Sequence, residues 1–107
     1  MLTDESISKA VRRLVGAAHA PTRVIVFGSY ARGDATEESD LDLMMIEREI
    51  PDATAEYMCL RDALGSLGVG VDLMLLTEPE FAQRKDWWST PVYWAAREGR
   101  VLYESAH

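Results

Sequence analysis

The sequence has few of the residues that build disulfide frameworks, zinc clusters or membrane spans. Its one cysteine, Cys59, cannot form an internal disulfide, and with only two histidines the chain has no Cys/His cluster typical of zinc sites. No apolar run approaches the roughly 20 residues of a membrane helix. The acidic start of the chain also lacks the basic-then-apolar plan of a secretory signal. We therefore expect a soluble, cytoplasmic protein with no membrane partner.

Positive charge is scarce as well. Eleven Lys and Arg face eighteen Asp and Glu, which gives a net charge of −7. A free-standing nucleic-acid-binding protein normally presents a basic face, so we expect no strong direct binding to nucleic acid. An acidic chain fits a metal–nucleotide site or docking on a basic partner. With 107 residues, 48% of them hydrophobic, the sequence predicts a single domain spanning 1–107.

Apolar spacing predicts the order of the secondary structure. A helix begins at Asp4 behind a Thr3 cap, and a second runs over 51–67. The predicted inner face of that second helix consists of Tyr57, Leu60, Leu64 and Leu67. The remaining predicted elements are strands at 24–27, 43–46 and 69–76, a helical turn at 30–32, helices at 81–85 and 91–99, and an edge strand at 101–103. This order predicts an α/β (α+β) domain in which helices pack against a small mixed sheet.

Large apolar side chains are concentrated in the C-terminal part and in the predicted strands. We expect Trp94 to lie in the core, whereas Trp87 or Trp88 is a candidate for contact with a partner protein. The methionines predicted to fill the core are Met44, Met45, Met58 and Met74.

The most informative stretch joins the first two predicted strands. Gly28 and Ser29 leave the first strand, and ten residues later Asp40-Leu41-Asp42 leads into the second. Side chains two apart on a strand share a face, so Asp40 and Asp42 point the same way. Two carboxylates held this close repel each other unless a positive charge lies between them. A divalent metal such as Mg²⁺ meets that need, and the Gly-Ser turn offers N–H and hydroxyl donors to a phosphate.

These residues resemble a known pattern. Gly28-Ser29, ten residues and Asp40-Leu41-Asp42 resemble the nucleotidyltransferase motif of the DNA polymerase β superfamily. The wider stretches 28–33 and 39–43 are similar to minimal nucleotidyltransferases, the MNT antitoxins that pair with HEPN toxins. That family uses a third carboxylate on a later strand, and Asp72 lies in such a strand here.

The resemblance implies a fold, a reaction and a set of roles. The fold is the nucleotidyltransferase fold, and the reaction transfers AMP from ATP to a tyrosine hydroxyl of a HEPN ribonuclease toxin, which neutralises it. Asp40, Asp42 and Asp72 would hold two Mg²⁺ ions, and Asp72 would assist deprotonation of the acceptor. Gly28, Ser29 and Arg32 would contact the nucleotide. Because 107 residues leave little room for an acceptor-binding domain, we expect another molecule to present the acceptor.

Simpler interpretations of the same residues stay open at this point. Asp40 and Asp42 are also compatible with a solvated strand entrance, Gly28-Ser29 with an ordinary turn, and Asp72 with a carboxylate bonded to a loop. Arg32 is nearly as compatible with a surface pair to Glu37 or Glu38. For the whole chain, the alternatives are an antitoxin that masks its toxin without catalysis, and a transferase acting on a small molecule or tRNA.

Overall fold

The computed structural model describes residues 1–105 and places four strands and five helices in that part of the chain. In chain order they are α1 (Asp4–Ala17), β1 (Pro21–Phe27), α2 (Ser29–Arg32), β2 (Leu41–Glu47), α3 (Ala53–Leu64), β3 (Val71–Thr77), α4 (Glu78–Arg84), α5 (Pro91–Glu98) and β4 (Arg100–Glu104). Within residues 1–105, none of these helices is long and apolar enough to cross a membrane.

The four strands form one mixed sheet in the order β3-β2-β1-β4. β1 is antiparallel to both β2 and β4, whereas β2 and β3 are parallel and are connected through α3. A parallel pair needs such a crossover, which explains why the longest connection carries a helix. The predicted small mixed sheet with packed helices is confirmed.

Alternating side chains of the strands enter two separate cores. Val24 and Val26 face the core under α1 and α3, whereas Ile25 and Phe27 face the core under α4 and α5. Asp42 lies two residues before Met44, which belongs to the α4–α5 core. The Asp42 side chain is therefore on that same face, at the end of the sheet where the strand begins.

Side-chain caps determine where the helices begin. Thr3, Asp52, Thr77 and Thr90 each accept a hydrogen bond from a backbone N–H in the first turn of the helix that follows. Helix α3 ends at Leu64, before the predicted 67, because Gly65 adopts a positive φ of 63°.

Strand boundaries also differ from the sequence prediction. β1 begins at Pro21 rather than at residue 24, since proline is tolerated as the first residue of a strand. β2 runs from Leu41 to Glu47 and so contains Asp42 itself. β3 begins at Val71 rather than at residue 69.

Three side chains predicted to be inside are exposed. Trp94 is 40% exposed, Met58 59% and Tyr57 39%, so these core predictions were wrong. On α5 the inward positions are Val92 and Ala95, three residues apart, and Trp94 lies off that stripe. Met44 and Met45 are fully buried, as predicted. Leu67 lies beyond α3 but is partly buried against the first core.

One ionisable side chain is fully buried at the far end of β2. Glu47 accepts a 2.8 Å hydrogen bond from the backbone N–H of Ala20. The pKa of Glu47 is raised to about 7, first by burial and then by hydrogen bonding with the nearby Glu56 carboxyl, whose charge also raises it. Glu56 in turn accepts a hydrogen bond from the backbone N–H of His19.

Candidate active site

The Gly-Ser turn lies directly after β1. Gly28 has a φ of 71°, a conformation that favours glycine, and its carbonyl accepts hydrogen bonds from the N–H groups of Ala31 and Arg32. Ser29 is the first residue of α2, a single helical turn that ends at Gly33. The predicted turn at 30–32 is confirmed. Tyr30 points away from this surface into the core, and its hydroxyl accepts a hydrogen bond from the N–H of Leu2.

Gly28 and Asp42 are in close contact. A Cβ on Gly28 would collide with Oδ2 of Asp42 and would lie 3.2 Å from its Cγ. Phe27, the last residue of β1, is the register partner of Asp42. The absence of a side chain at Gly28 therefore leaves the space that the Asp42 carboxylate occupies, which links the turn to the first carboxylate physically.

Asp42 and Asp72 are direct partners across the parallel strands β2 and β3. Asp42 is half-buried and Asp72 is exposed. The pKa of Asp42 is raised to about 6, first by burial and then by the Asp72 carboxyl, which acts as a hydrogen-bonding neighbour and as a like charge. The charge of Asp40 acts in the same direction, while the charge of Arg32 lowers the pKa. Asp72, Asp40 and Arg32 thus each lie close enough to influence the Asp42 carboxyl.

A cavity of about 350 Å³ opens beside this carboxylate pair. Its lining combines the two carboxylates with apolar side chains from β1, β3, α3 and the start of α5: Phe27, Asp42, Tyr57, Val71, Asp72, Leu73, Met74 and Pro91. Ligand sites commonly pair an apolar lining with a few polar groups in this way. The sequence had not indicated Phe27, Pro91 or Met74 as lining residues. Tyr57 had been assigned to the core from its helical spacing, although it lines this cavity.

Arg32 lies on the other side of the turn. Its Nε is 3.4 Å from Oδ2 of Asp34, and its guanidinium is 3.8 Å from Oε2 of Glu98. The predicted alternative of a pair with Glu37 or Glu38 was wrong, because α5 brings Glu98 to this position. Arg32, Trp94 and Glu98 line a second cavity of about 260 Å³.

The carboxylates have the chemistry of a magnesium site. Mg²⁺ takes one or two protein carboxylates and completes its shell with water and phosphate oxygens. The like charges of Asp40, Asp42 and Asp72 would be stabilised by a divalent cation, which fits this donor set. Across residues 1–105, no three His, Cys, Asp or Glu side chains converge as a protein-only metal cage. Oxygen ligands from a bound nucleotide would thus have to complete the coordination.

The structure therefore combines a mixed sheet, carboxylates on paired strands and an adjoining Gly-Ser turn. The family model described as a nucleotidyltransferase domain matches residues 5–94. The chain belongs to this nucleotidyltransferase family, as its sequence predicted, and is accordingly an enzyme of that class.

Similar proteins agree with this assignment. The chain is 35% identical over 104 residues to a Methanocaldococcus jannaschii protein named putative protein adenylyltransferase MJ0604, covering 89% of this chain and 96% of that protein. A chain in the crystal structure of a toxin–antitoxin with AMP-PNP has a TM-score of 0.67 at 19% identity, covering 98% of this chain and 76% of that one. A chain in a complex of the tri-AMPylated Shewanella oneidensis HEPN toxin with MNT antitoxin has a TM-score of 0.63 at 16% identity, covering 97% and 74%. Both structures share the predicted fold.

Proposed function

We propose that this protein is an Mg²⁺-dependent protein adenylyltransferase that transfers AMP from ATP to a tyrosine hydroxyl of a HEPN ribonuclease toxin and so neutralises it. The observation that carries the proposal is the Asp42–Asp72 pair, held at the mouth of a cavity and next to the Gly28–Ser29 turn. The relative named as a protein adenylyltransferase supports the choice of AMP. The similar chain in the complex with an AMPylated HEPN toxin supports the choice of acceptor.

Each residue of the site has a distinct task in this proposal. Gly28 lets the Asp42 carboxylate lie against the turn, and the Ser29 hydroxyl donates to a phosphate oxygen of ATP. Arg32 neutralises charge on the polyphosphate from the far side of the turn. Asp40, Asp42 and Asp72 would hold Mg²⁺, whose charge would stabilise the triphosphate and its leaving group.

The transfer step forms one bond and breaks one. The acceptor oxygen attacks the α-phosphorus, the new oxygen–phosphorus bond forms, and the bond from the α-phosphorus to the bridging oxygen breaks so that pyrophosphate leaves. The proton of the acceptor hydroxyl passes to the Asp72 carboxylate, which is exposed beside the cavity. The cavity is accessible to a side chain of a partner protein, since its lining residues Tyr57 and Pro91 are exposed to solvent.

A protein acceptor agrees with the surface around the site. Tyr57 and Met58 on α3, and Trp87, Trp88 and Trp94 near α5, are exposed large apolar side chains. Aromatic and methionine side chains are enriched where proteins meet. The net charge of −7 favours a basic partner such as an RNA-binding ribonuclease. AMP on a tyrosine of such a partner would add negative charge where RNA phosphate must bind.

Intact-protein mass spectrometry tests the proposal directly. Each HEPN protein of the source organism would be incubated with the chain, Mg²⁺ and each nucleoside triphosphate separately. We expect the mass of AMP to be added with ATP and no addition with the double variant Asp40→Ala/Asp42→Ala. No added mass on any HEPN protein under any condition would contradict the proposal.

The exposed aromatic side chains favour a second candidate function, neutralisation of the toxin by binding alone. Trp88 is 75% exposed and Trp87 50%, and exposed apolar side chains of this size commonly mark a surface that binds another protein. In that case the double variant would silence the ribonuclease as well as the wild-type chain does. Loss of silencing in the double variant, with the complex intact, would exclude masking.

A further inference from the structure

Four positions lie together where β2 and β3 begin: Asp42 and Asp72 within the strands, and Asp40 and Gly70 immediately before them. Leu41 pairs with Val71 and Asp42 with Asp72, and the N–H of Leu41 donates a 2.8 Å hydrogen bond to the carbonyl of Gly70. Residues two apart on a strand point the same way, and so do paired residues of neighbouring parallel strands. Positions 40, 42, 70 and 72 therefore form a two-by-two arrangement. Three of them are aspartates, and the fourth is Gly70.

The Asp40 carboxylate fills the space that a side chain at position 70 would need. A Cβ on Gly70 would collide with Oδ1 of Asp40 and would lie 2.9 Å from its Cγ and 3.4 Å from its Oδ2. The relation between Gly28 and the Asp42 carboxylate is the same. Two glycines thus accommodate two of the three carboxylates, one from each neighbouring strand.

We propose that Gly70 is a positioning residue for the metal site, because its missing side chain lets the Asp40 carboxylate turn toward β3 beside the Asp42–Asp72 pair. An alanine there would push the Asp40 carboxylate away from its partners. The inference rests on the proposed function, in which Asp40 is a metal ligand. It adds a residue outside the Gly-Ser and Asp-x-Asp motifs on which that site depends.

Gly70→Ala should disturb the metal site without destabilising the fold. Gly70 and Asp40 are both exposed, so the Asp40 side chain can rotate into solvent without disturbing the core. The hydrogen bond from Leu41 uses only the backbone carbonyl of Gly70, which alanine retains. No positive φ is required at Gly70, in contrast to Gly28, so alanine causes no backbone strain there.

The test measures Mn²⁺ binding in the presence of AMP-PNP by electron paramagnetic resonance, together with thermal stability, for Gly70→Ala and for a control, Gly16→Ala. Gly16 has nothing within 4 Å of the position of an added Cβ, so the control adds the same methyl group without a contact. We expect Gly70→Ala to weaken Mn²⁺ binding by about 10- to 100-fold, the usual effect of losing the support of a ligand. The midpoint of thermal unfolding should not fall in either variant, and it should rise for Gly16→Ala because Gly16 lies in α1, where alanine is favoured over glycine.

A double-mutant cycle separates positioning from a general effect. In an Asp40→Ala background, Gly70→Ala should weaken Mn²⁺ binding no further, since the displaced carboxylate is already gone. Wild-type Mn²⁺ binding by Gly70→Ala, or an equal loss in the Asp40→Ala background, would overturn the inference while leaving the proposed function intact. No Mn²⁺ binding by the wild-type chain would instead overturn the metal site itself, and the inference with it.

Discussion

The buried Glu47 predicts a stability that depends on pH in an unusual direction. The glutamate is fully buried at the end of β2, and its pKa is raised from 4.5 to about 7. Between these two values the folded chain binds a proton that the unfolded chain has released. The free energy of unfolding should therefore fall as the pH rises from about 4.5 to about 7.

The substitution Glu47→Gln removes this penalty. Glutamine keeps an oxygen that can accept the hydrogen bond from Ala20, and it carries no charge to desolvate. Each pH unit between the two pKa values is worth about 1.4 kcal/mol, so the pH-dependent part amounts to about 3 kcal/mol. In a chain of this size that corresponds to a rise of about 10 °C in the midpoint of thermal unfolding.

Urea unfolding of the wild type and Glu47→Gln at pH 5 and pH 8 provides the assay. We expect the variant to be more stable by roughly 2–3 kcal/mol at pH 8 and to differ little from the wild type at pH 5. Glu38→Gln is the matched control, because Glu38 is exposed and its removal should change the free energy of unfolding little at either pH. An equal difference between the variant and the wild type at both pH values would refute the reasoning.

Three further predictions concern the site and the helix ends. Asp42→Asn should abolish AMP transfer, and transfer at the wild-type rate would contradict the assigned role. It should also raise the free energy of unfolding, measured by calorimetry, by up to about 1 kcal/mol, because it removes repulsion at a half-exposed carboxyl. Gly28→Ala should also abolish transfer, and it should lower the free energy of unfolding by about 1–2 kcal/mol, since alanine is strained at a φ of 71° and collides with Asp42. An unchanged midpoint of thermal unfolding would argue against that strain. Thr77→Ala should lower the free energy of unfolding by about 1 kcal/mol, because it removes the cap of α4, and should leave AMP transfer unchanged. Urea unfolding and a transfer assay measure these two effects, and a loss of transfer would contradict the prediction.

The elements of the site that follow a short-range rule could be predicted from the sequence. The common face of Asp40 and Asp42 follows from strand periodicity, and the position of Asp72 in a later strand followed from its apolar neighbours. The register that sets Asp72 opposite Asp42 depends on the pairing of β2 with β3, which no local pattern of residues determines. The support of Asp40 by Gly70 was not predicted, because it depends on the distance between two chain segments that are thirty residues apart.

The wrong predictions have a common physical cause. Trp94, Met58 and Tyr57 were assigned to the core because they are large and apolar, yet each is exposed. Helix α5 is only eight residues long and buries the stripe of Val92 and Ala95, so no inward position remains for Trp94. Size and hydropathy do not tell whether an apolar side chain serves the core or the rim of a site. Whether such a side chain is buried depends on which face of its helix packs against the sheet.

The central claim is that this chain transfers the α-phosphate of ATP, together with its nucleoside, to a partner protein. The most direct measurement compares a HEPN protein of the source organism after incubation with ATP labelled at either the α- or the γ-phosphate. We predict label on the HEPN protein from α-labelled ATP alone, and none when the chain carries Asp42→Asn. Label from γ-labelled ATP, or no label from either, would contradict the account.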